Sequence, residues 1–477
     1  MQQRHSMSKI CSIDASSVPL YPPRVMPPPK PLNLPQSFIR FLRNPLLTIP
    51  ESVYHEPLVV LSGLPAIVWV TDPALVKMVL VDHCDDFPQD PLLRRVLGDL
   101  FGNSILTSEG RHWRWQHQTV APLFRYGEIL RYVPAMVAGA ESAIKAWSAA
   151  PPGSTHAIDA DMLRATYHAI SNTLLPGGGA LISETMRRGT ADYVQGISWS
   201  TAYAVLNLPV WLPCPGRRRM RFWEIRLRAV VADMIHARHT STGDRDNLFT
   251  RLLGAVDPET GQTMPEEQLV DNLLTFLLAG HYTIAMTLTW TLYLLSRAPE
   301  WEARVLEEIR QVVPSGPVTG EHIDRLVIVQ QVLKESMRLY PPLAMMTRYT
   351  AKDVELAGEH IKAGTLIGLP IYVIHRHRKL WDDPDRFDPS RFAPEREASY
   401  SRYQFMPFGA GPRICIGAAF ALIEATAMLA TLVRAARFES PPVQEPIPVS
   451  RVVLLPKDGM PLQVTMRGRA SEQAHEG

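Results

Sequence analysis

A chain of 477 residues, 46% apolar and 20% charged, has enough apolar residues to bury a large core, which excludes a disordered protein. Its 49 Lys and Arg against 47 Asp and Glu leave a net charge of +2, too little for the global basic field that nucleic acid would require. Four cysteines, Cys11, Cys84, Cys214 and Cys415, with no CxxC spacing, exclude a disulfide framework and fit a reducing, cytoplasmic setting.

Residues 1–35 read as a tail and a proline-rich lead, with Pro22, Pro23, Pro27, Pro28, Pro29 and Pro31 favouring extended chain. No apolar run there is long enough for a signal peptide or membrane anchor. Two β-rich runs, 58–61 and 66–70, flank a Ser-Gly-Leu-Pro turn and predict a hairpin, followed by a helix opened by Asp72-Pro73. From about 110 to 340 the pattern is helical, with links at 151–153, 176–179 and 213–216. The basic run Arg217-Arg218-Arg219-Met220-Arg221 reads as a solvated loop between two helices.

Residues 273–295 carry no Asp, Glu, Lys or Arg and could cross a bilayer by length. Gly280, His281 and several threonines within them fit a helix buried in a large domain better. A helix over 324–339, a small sheet over 345–373 and a long helix over 417–434 follow. Strands at 452–455 and 462–466 around Lys457-Asp458-Gly459 suggest a late hairpin, and 468–477 is a polar tail. The expectation is one large domain over 36–467, mainly α with small β-sheets, built around a long buried central helix.

The chemistry concentrates at Phe405-Met406-Pro407-Phe408-Gly409-Ala410-Gly411-Pro412-Arg413-Ile414-Cys415-Ile416-Gly417, a lone cysteine in a Gly/Pro-constrained loop just before a helix. A helix N-terminus favours thiolate over thiol, the glycines let backbone fold tightly beside a flat partner, and Arg413 supplies a cation. This run resembles the haem-binding loop of the cytochrome P-450 family, Phe-x-x-Gly-x-Arg-x-Cys-x-Gly, matched at Phe408, Gly411, Arg413, Cys415 and Gly417. The resemblance implies the cytochrome P-450 fold, haem b (iron protoporphyrin IX) as cofactor, Cys415 as iron ligand, Phe408 near the sulfur and Arg413 on a haem propionate.

Other motifs extend the resemblance in the expected order. Glu335 and Arg338, three residues apart on one helix face, match the family's Glu-x-x-Arg, and Arg391 in Phe387-Asp388-Pro389-Ser390-Arg391-Phe392 completes its structural triad. Ser390 stands where the family often has Glu. Ala279-Gly280-His281-Tyr282-Thr283 resembles the oxygen-binding turn, with Gly280 as space for a diatomic ligand, Thr283 as proton relay and Tyr282 in the place of the usual acid. Trp113 matches a propionate-holding position, His117 replaces the usual arginine four residues later, and Arg348 matches a further propionate contact.

As a member of that family the chain is expected to be a monooxygenase that activates O2 and inserts one oxygen atom into a hydrophobic small molecule. No nicotinamide or flavin fingerprint occurs, so electrons are expected from a ferredoxin or flavodoxin with its reductase, docking near Arg111 and Arg114. A peroxide-driven or redox-neutral haem-thiolate enzyme is the alternative that Tyr282 leaves open, and a non-catalytic haem sensor a further one. Substrate contacts are expected from 84–108, 180–225 and Leu343, Ala344, Met345 and Met346, whose apolar character suits a lipid or terpenoid.

Overall fold

Polar caps and prolines set where the first helices begin. In α1 (Leu34–Arg43) Asn33 accepts from Gln36 N–H, in α2 (Pro73–Lys77) Asp72 accepts from Ala74 and Leu75, and in α3 (Pro91–Phe101) Asp90 accepts from Leu92. Between α1 and α2, strands β1 (Leu58–Leu61) and β2 (Ile67–Val70) pair antiparallel as expected. The computed structural model describes residues 18–62, 66–174, 180–206, 208–209, 211–240, 248–257, 260–441 and 445–468. The tail before residue 18, the turn at 63–65, the link at 176–179 and the residues after 468 lie outside the described residues.

The helical body follows as α4 (Gly110–Val120), α5 (Tyr126–Leu130) and α6 (Val133–Ser148), strand β3 (Ser154–Ala157), then α7 (Ile158–Leu174), α8 (Ala180–Val205), α9 (Arg217–Thr240) and α10 (Leu248–Leu253). The run Arg217–Arg221, expected as loop, is instead the first turn of α9: Gly216, at φ +82°, reverses the chain and the helix starts at once. Next come α11 (Glu266–Arg297), α12 (Pro299–Val312) and α13 (Val327–Leu339). The first N–H groups of α13 have no local cap, and the Glu308 carboxylate on α12 accepts from Ile328 and Val329 at 2.8 and 3.0 Å.

Strands β4 (Met346–Tyr349), β5 (Val354–Leu356), β6 (Glu359–Ile361) and β7 (Leu366–Leu369) form the small sheet region, and β7 and β4 extend the hairpin into a sheet of order β1-β2-β7-β4. Short helices α14 (Ile371–Ile374) and α15 (Pro394–Glu397) precede α16 (Ala418–Ala435), and β8 (Ala436–Glu439), β9 (Pro448–Ser450), β10 (Leu454–Pro456) and β11 (Pro461–Met466) close the chain. The expected late hairpin does not form. Both edges of β11 are taken, by β3 and by β8, so β10 pairs with β9 instead.

Helix α11 runs through the centre, against α3, α7, α9, α12, α13 and α16. It and α16 are long and apolar enough to cross a membrane, yet both are mostly buried inside the protein. Trp290 of α11 is fully buried, stacks on Tyr340 at 3.9 Å and donates its Nε1–H to Leu454 O. The proline-rich lead lies against this body: Tyr340 Oη donates to Pro23 O at 2.7 Å, Val25 N–H donates to Tyr372 Oη at 3.0 Å, and Phe387 N–H donates to Leu20 O.

Candidate active site

The cysteine loop is held by its own backbone and by two neighbours. Cys415 N–H donates to Phe408 O at 2.9 Å, Gly409 N–H to Met406 O at 3.0 Å and Ile414 N–H to Gly411 O at 3.1 Å. Gly411, at φ +74°, is the position no other residue could take: a Cβ there would lie 2.0 Å from Leu80 O. From outside, the fully buried His375 accepts the Met406 N–H on Nε2 at 3.0 Å and packs its ring on Phe405. Desolvation and the flanking Arg338 and Arg376 pull its pKa down to about 3, so the imidazole is neutral and a permanent acceptor.

Cys415 leads into α16 two residues before its N-cap, Gly417, whose N–H bonds to the sulfur and favours thiolate. Desolvation of the sulfur by the loop packed around it acts the other way and is the larger effect, raising the thiol pKa in the protein alone, although the residue as a whole keeps solvent exposure. The Phe408 ring lines a cavity of about 260 Å³ with Met337, Met406, Ile414, Ala418 and Leu422.

Glu335 and Arg338 are both fully buried, and Arg338 uses every donor it has. Its Nε and Nη2 grip the Glu335 carboxylate at 2.6 and 2.8 Å, Nη1 donates to His375 O and Pro384 O, and Nη2 also reaches Arg386 O. Arg391 Nε lies 3.6 Å from the same carboxylate, and its Nη2 donates to Asp383 O. Ser390, in place of the usual Glu, donates to Asp388 and accepts from Arg396, leaving the triad intact. Through the carbonyl of His375 the triad reaches the residue that pins the cysteine loop.

A second group of cations is built differently. Arg413 stacks on the Trp113 ring at 4.1 Å, and its buried Nη1 has no hydrogen-bond partner. Arg348 is 7% exposed and donates only to the carbonyl of its neighbour Thr347. Among the described residues neither guanidinium has a carboxylate within ion-pair distance, although Asp90 lies near enough to Arg348 to attract it. Burial and then the Arg348 charge pull Arg413 down to about 10, and burial and then Arg413 lower His117. His117 packs on Trp113, with ring centroids 5.1 Å apart. Trp113, His117, Arg348 and Arg413 thus gather at one place, where two cations withdrawn from solvent with no carboxylate at ion-pair distance among the described residues suit an exogenous anion.

On α11 every residue from Gln268 to Leu295 is buried except Ala279, Gly280, Tyr282 and Thr283. Ala279 and Thr283 are one turn apart, and Thr283 Oγ1 donates to Ala279 O at 2.8 Å. Phe276, one turn earlier, contacts Phe124, which in turn contacts Phe420 just after Cys415, so this opening and the cysteine loop share a neighbourhood. Gly280 does serve close approach, but toward α7: a Cβ would lie 2.4 Å from Ile170 Cδ1. Tyr282 packs on the main core, and burial, helped by Asp159, pushes its phenol up to about 12. His281 is buried on the opposite side, donating Nδ1–H to Leu277 O.

The residues singled out in the sequence for the cysteine loop, the triad, the propionate contacts and the oxygen-binding turn fall into these four groups. Met346 packs with Met406 and Ala410 beside the loop, whereas Met345 joins the main core and Leu343 is exposed. Sequence reasoning missed His375, an imidazole in an apolar run with no spacing signal, and Asn272, which ties α11 to Gln116 of α4 at 2.8 Å. A soft thiol beside the guanidiniums of buried Arg348 and half-buried Arg413, neither with a carboxylate at ion-pair distance among the described residues, fits haem, whose iron takes a thiolate and whose propionates take cations.

The cytochrome P450 family model matches residues 51–464. The chain is 34% identical to cyclooctat-9-en-7-ol 5-monooxygenase of Streptomyces melanosporofaciens over 84% of its own length and 88% of that protein's. It is 30% identical to pentalenene oxygenase of Streptomyces avermitilis over 90% and 94% of the two lengths. The crystal structure of the cytochrome P450DA heme domain superposes with a TM-score of 0.81 at 24% identity, covering 93% of this chain and 98% of that one, a likeness of fold. With a thiol loop, a saturated triad and unpaired cations arranged as described, the chain belongs to the cytochrome P450 family and is a monooxygenase.

Proposed function

We propose that the protein binds haem b, with Cys415 as the residue that would hold its iron, and inserts one oxygen atom from O2 into a hydrophobic, terpenoid-like molecule. Electrons would come from a ferredoxin or flavodoxin with its reductase. The carrying observation is the pair of guanidiniums of buried Arg348 and half-buried Arg413, neither with a carboxylate at ion-pair distance among the described residues, beside the cysteine loop. The substrate class is supported by the terpene-oxidising relatives and the apolar core bordering the α11 opening. Haem, when bound, supplies the redox-active iron whose thiolate ligand favours O–O cleavage.

The chain's own residues do the rest. Arg348 and Arg413 neutralise the propionates, Trp113 backs the Arg413 plane, and neutral His117 donates a single hydrogen bond where an arginine would supply a charge. Thr283, its hydroxyl now turned to the Ala279 carbonyl, can rotate to hold water on the opening of α11. Exposed Arg111 and Arg114 on α4 offer cations to an acidic electron donor.

Tyr282 favours one second reading. A phenol near 12 is a poor proton source at neutral pH, which suits peroxide-driven or redox-neutral turnover. The deciding experiment has two arms. The reduced, carbon monoxide-treated protein should give the thiolate-type absorption band, and Cys415→Ala should abolish it. Turnover of a cyclic terpene should require reductase, electron donor and O2; product formed from hydrogen peroxide alone at a comparable rate would select the second reading.

A further inference from the structure

Helix α4 carries Trp113 and His117, yet few of its side chains are buried deeply enough to fix it in place. Of its 11 residues only Gln116, Thr119 and Val120 are buried, with Trp113 and Trp115 half-buried against the core. Among the described residues its backbone lies close to the turn that follows it, Ala121–Phe124, and it is not one of the helices packed closely along α11. Ridges fitted into grooves therefore do not set its rotation against that helix. Polar side chains do.

Two rungs join α4 to α11. His112 and Gln116 are one turn apart on α4, Gln268 and Asn272 are one turn apart on α11, and the pairs meet at matching spacing. At the outer rung Gln268 Nε2 donates to His112 Nε2 at 2.8 Å. At the inner rung Asn272 Nδ2 donates to Gln116 Oε1 at 2.8 Å, and both residues are fully buried. The inner rung is also saturated. Asn272 Nδ2 donates to Gln268 O and its Oδ1 accepts Ile105 N–H at 2.9 Å, while Gln116 Nε2 donates to Asn103 O at 2.9 Å and to Ser108 Oγ at 3.1 Å.

The stripe formed by Trp113 and His117 lies about 100° around α4 from the stripe formed by His112 and Gln116. Holding the second stripe against α11 therefore aims the first, which here meets Arg413, 4.1 Å from the Trp113 ring. A slip of one residue would shift α4 by about 1.5 Å along its axis and turn that face away by about 100°. We infer that Gln116 and Asn272 are a positioning pair for the haem clamp: their bond fixes the rotation and register of α4 against α11, and with them the place where Trp113 and His117 meet Arg413. The inference rests on the reading of Trp113, His117 and Arg413 as propionate-holding residues. Neither carboxamide touches the clamp; each acts through its helix. An apolar contact would hold the two helices together without choosing a register, whereas a buried amide chooses one, as a single Asn does in a coiled coil. Removing either partner strands the other in the interior, and α4 shifts to relieve it.

The test is haem loss from the loaded protein to excess apomyoglobin, for Gln116→Met and Asn272→Leu, each alone and each combined with Arg413→Ala. Alone, each should speed haem loss about 5- to 20-fold. Once Arg413→Ala has removed the cation on which the clamp closes, the same substitutions should add less than about twofold. A residue that only stabilises the fold would give one factor in both backgrounds. Val305→Ala, at a buried site on α12, should lower the thermal midpoint and leave haem loss unchanged. Methionine is similar in length to glutamine, so Gln116→Met decides the matter by itself where Asn272→Leu yields no folded protein. Haem loss at the wild-type rate in the carboxamide variants, or an equal factor with and without Arg413, would overturn the inference. Arg413→Ala alone losing haem no faster than wild type would instead remove the propionate reading, and this inference with it.

Discussion

Two clusters of arginine largely withdrawn from solvent, one reaching the cysteine loop through His375 and one including Arg413 of the loop itself, have opposite accounts. Arg338, with Arg391 beside it, meets a carboxylate and a set of carbonyls from its own chain, so that all five of its donors are used. Arg348 is also buried and Arg413 half-buried, yet among the described residues they make between them one bond to a neighbouring carbonyl and one stack on an indole. The first cluster is complete as folded. On the function proposed above the second is a receptor, because a desolvated cation without an ion-pair partner is costly until something anionic arrives.

The contrast can be broken most severely at Glu335. Glu335→Ala strands a fully buried guanidinium and is expected to cost about 3–5 kcal/mol, enough to reduce soluble yield sharply and to lower the thermal midpoint of whatever folds. Arg413→Ala should behave in the reverse manner. The haem-free protein should melt no lower than wild type, whereas haem retention on dialysis should fall roughly 10- to 100-fold, the equivalent of about 1.5–3 kcal/mol for a charge-assisted bond. Equal losses of apoprotein stability in the two variants would erase the distinction drawn between the clusters.

Acid sharpens it further. His375 and His281 are buried with pKa values lowered to about 3 and about 4, so below the unfolded value the unfolded chain binds more protons. Stability should therefore fall as pH drops below about 6.5, by about 1.4 kcal/mol per pH unit for each imidazole, and level off beneath the folded values. His375→Gln, which keeps an acceptor for Met406 N–H, should flatten that slope in urea titrations across this range. The smallest expected effect is at Tyr282. Tyr282→Glu restores a carboxyl in the family position and should raise product formed per electron pair by a few-fold with little change in thermal midpoint; unchanged peroxide leakage would remove Tyr282 from the account of proton delivery.

What could be read in the sequence was whatever local chemistry enforces. Asp72-Pro73 announces a capped helix, the uncharged run after Asn272 announces a buried one, and the spacing from Phe408 to Gly417 carries the cysteine loop. The errors came where a distant partner decides. Lys457-Asp458-Gly459 does make a turn, but nothing local says that β3 and β8 occupy both edges of the following strand. The basic run became a helix because Gly216 reverses the chain immediately before it. The tie from His375 to Met406 spans 31 residues and has no periodicity to announce it.

The proline-rich lead has a consequence for the order of assembly. Its anchors, Pro23 to Tyr340, Val25 to Tyr372 and Leu20 to Phe387, join parts of the described chain that lie far apart in sequence, 317 residues in the first case and 347 in the second. Closing so long a loop before the intervening helices exist would forfeit chain entropy that no single hydrogen bond returns. The segment that leaves the ribosome early should thus be among the last to settle, fastening like a buckle over a body already built.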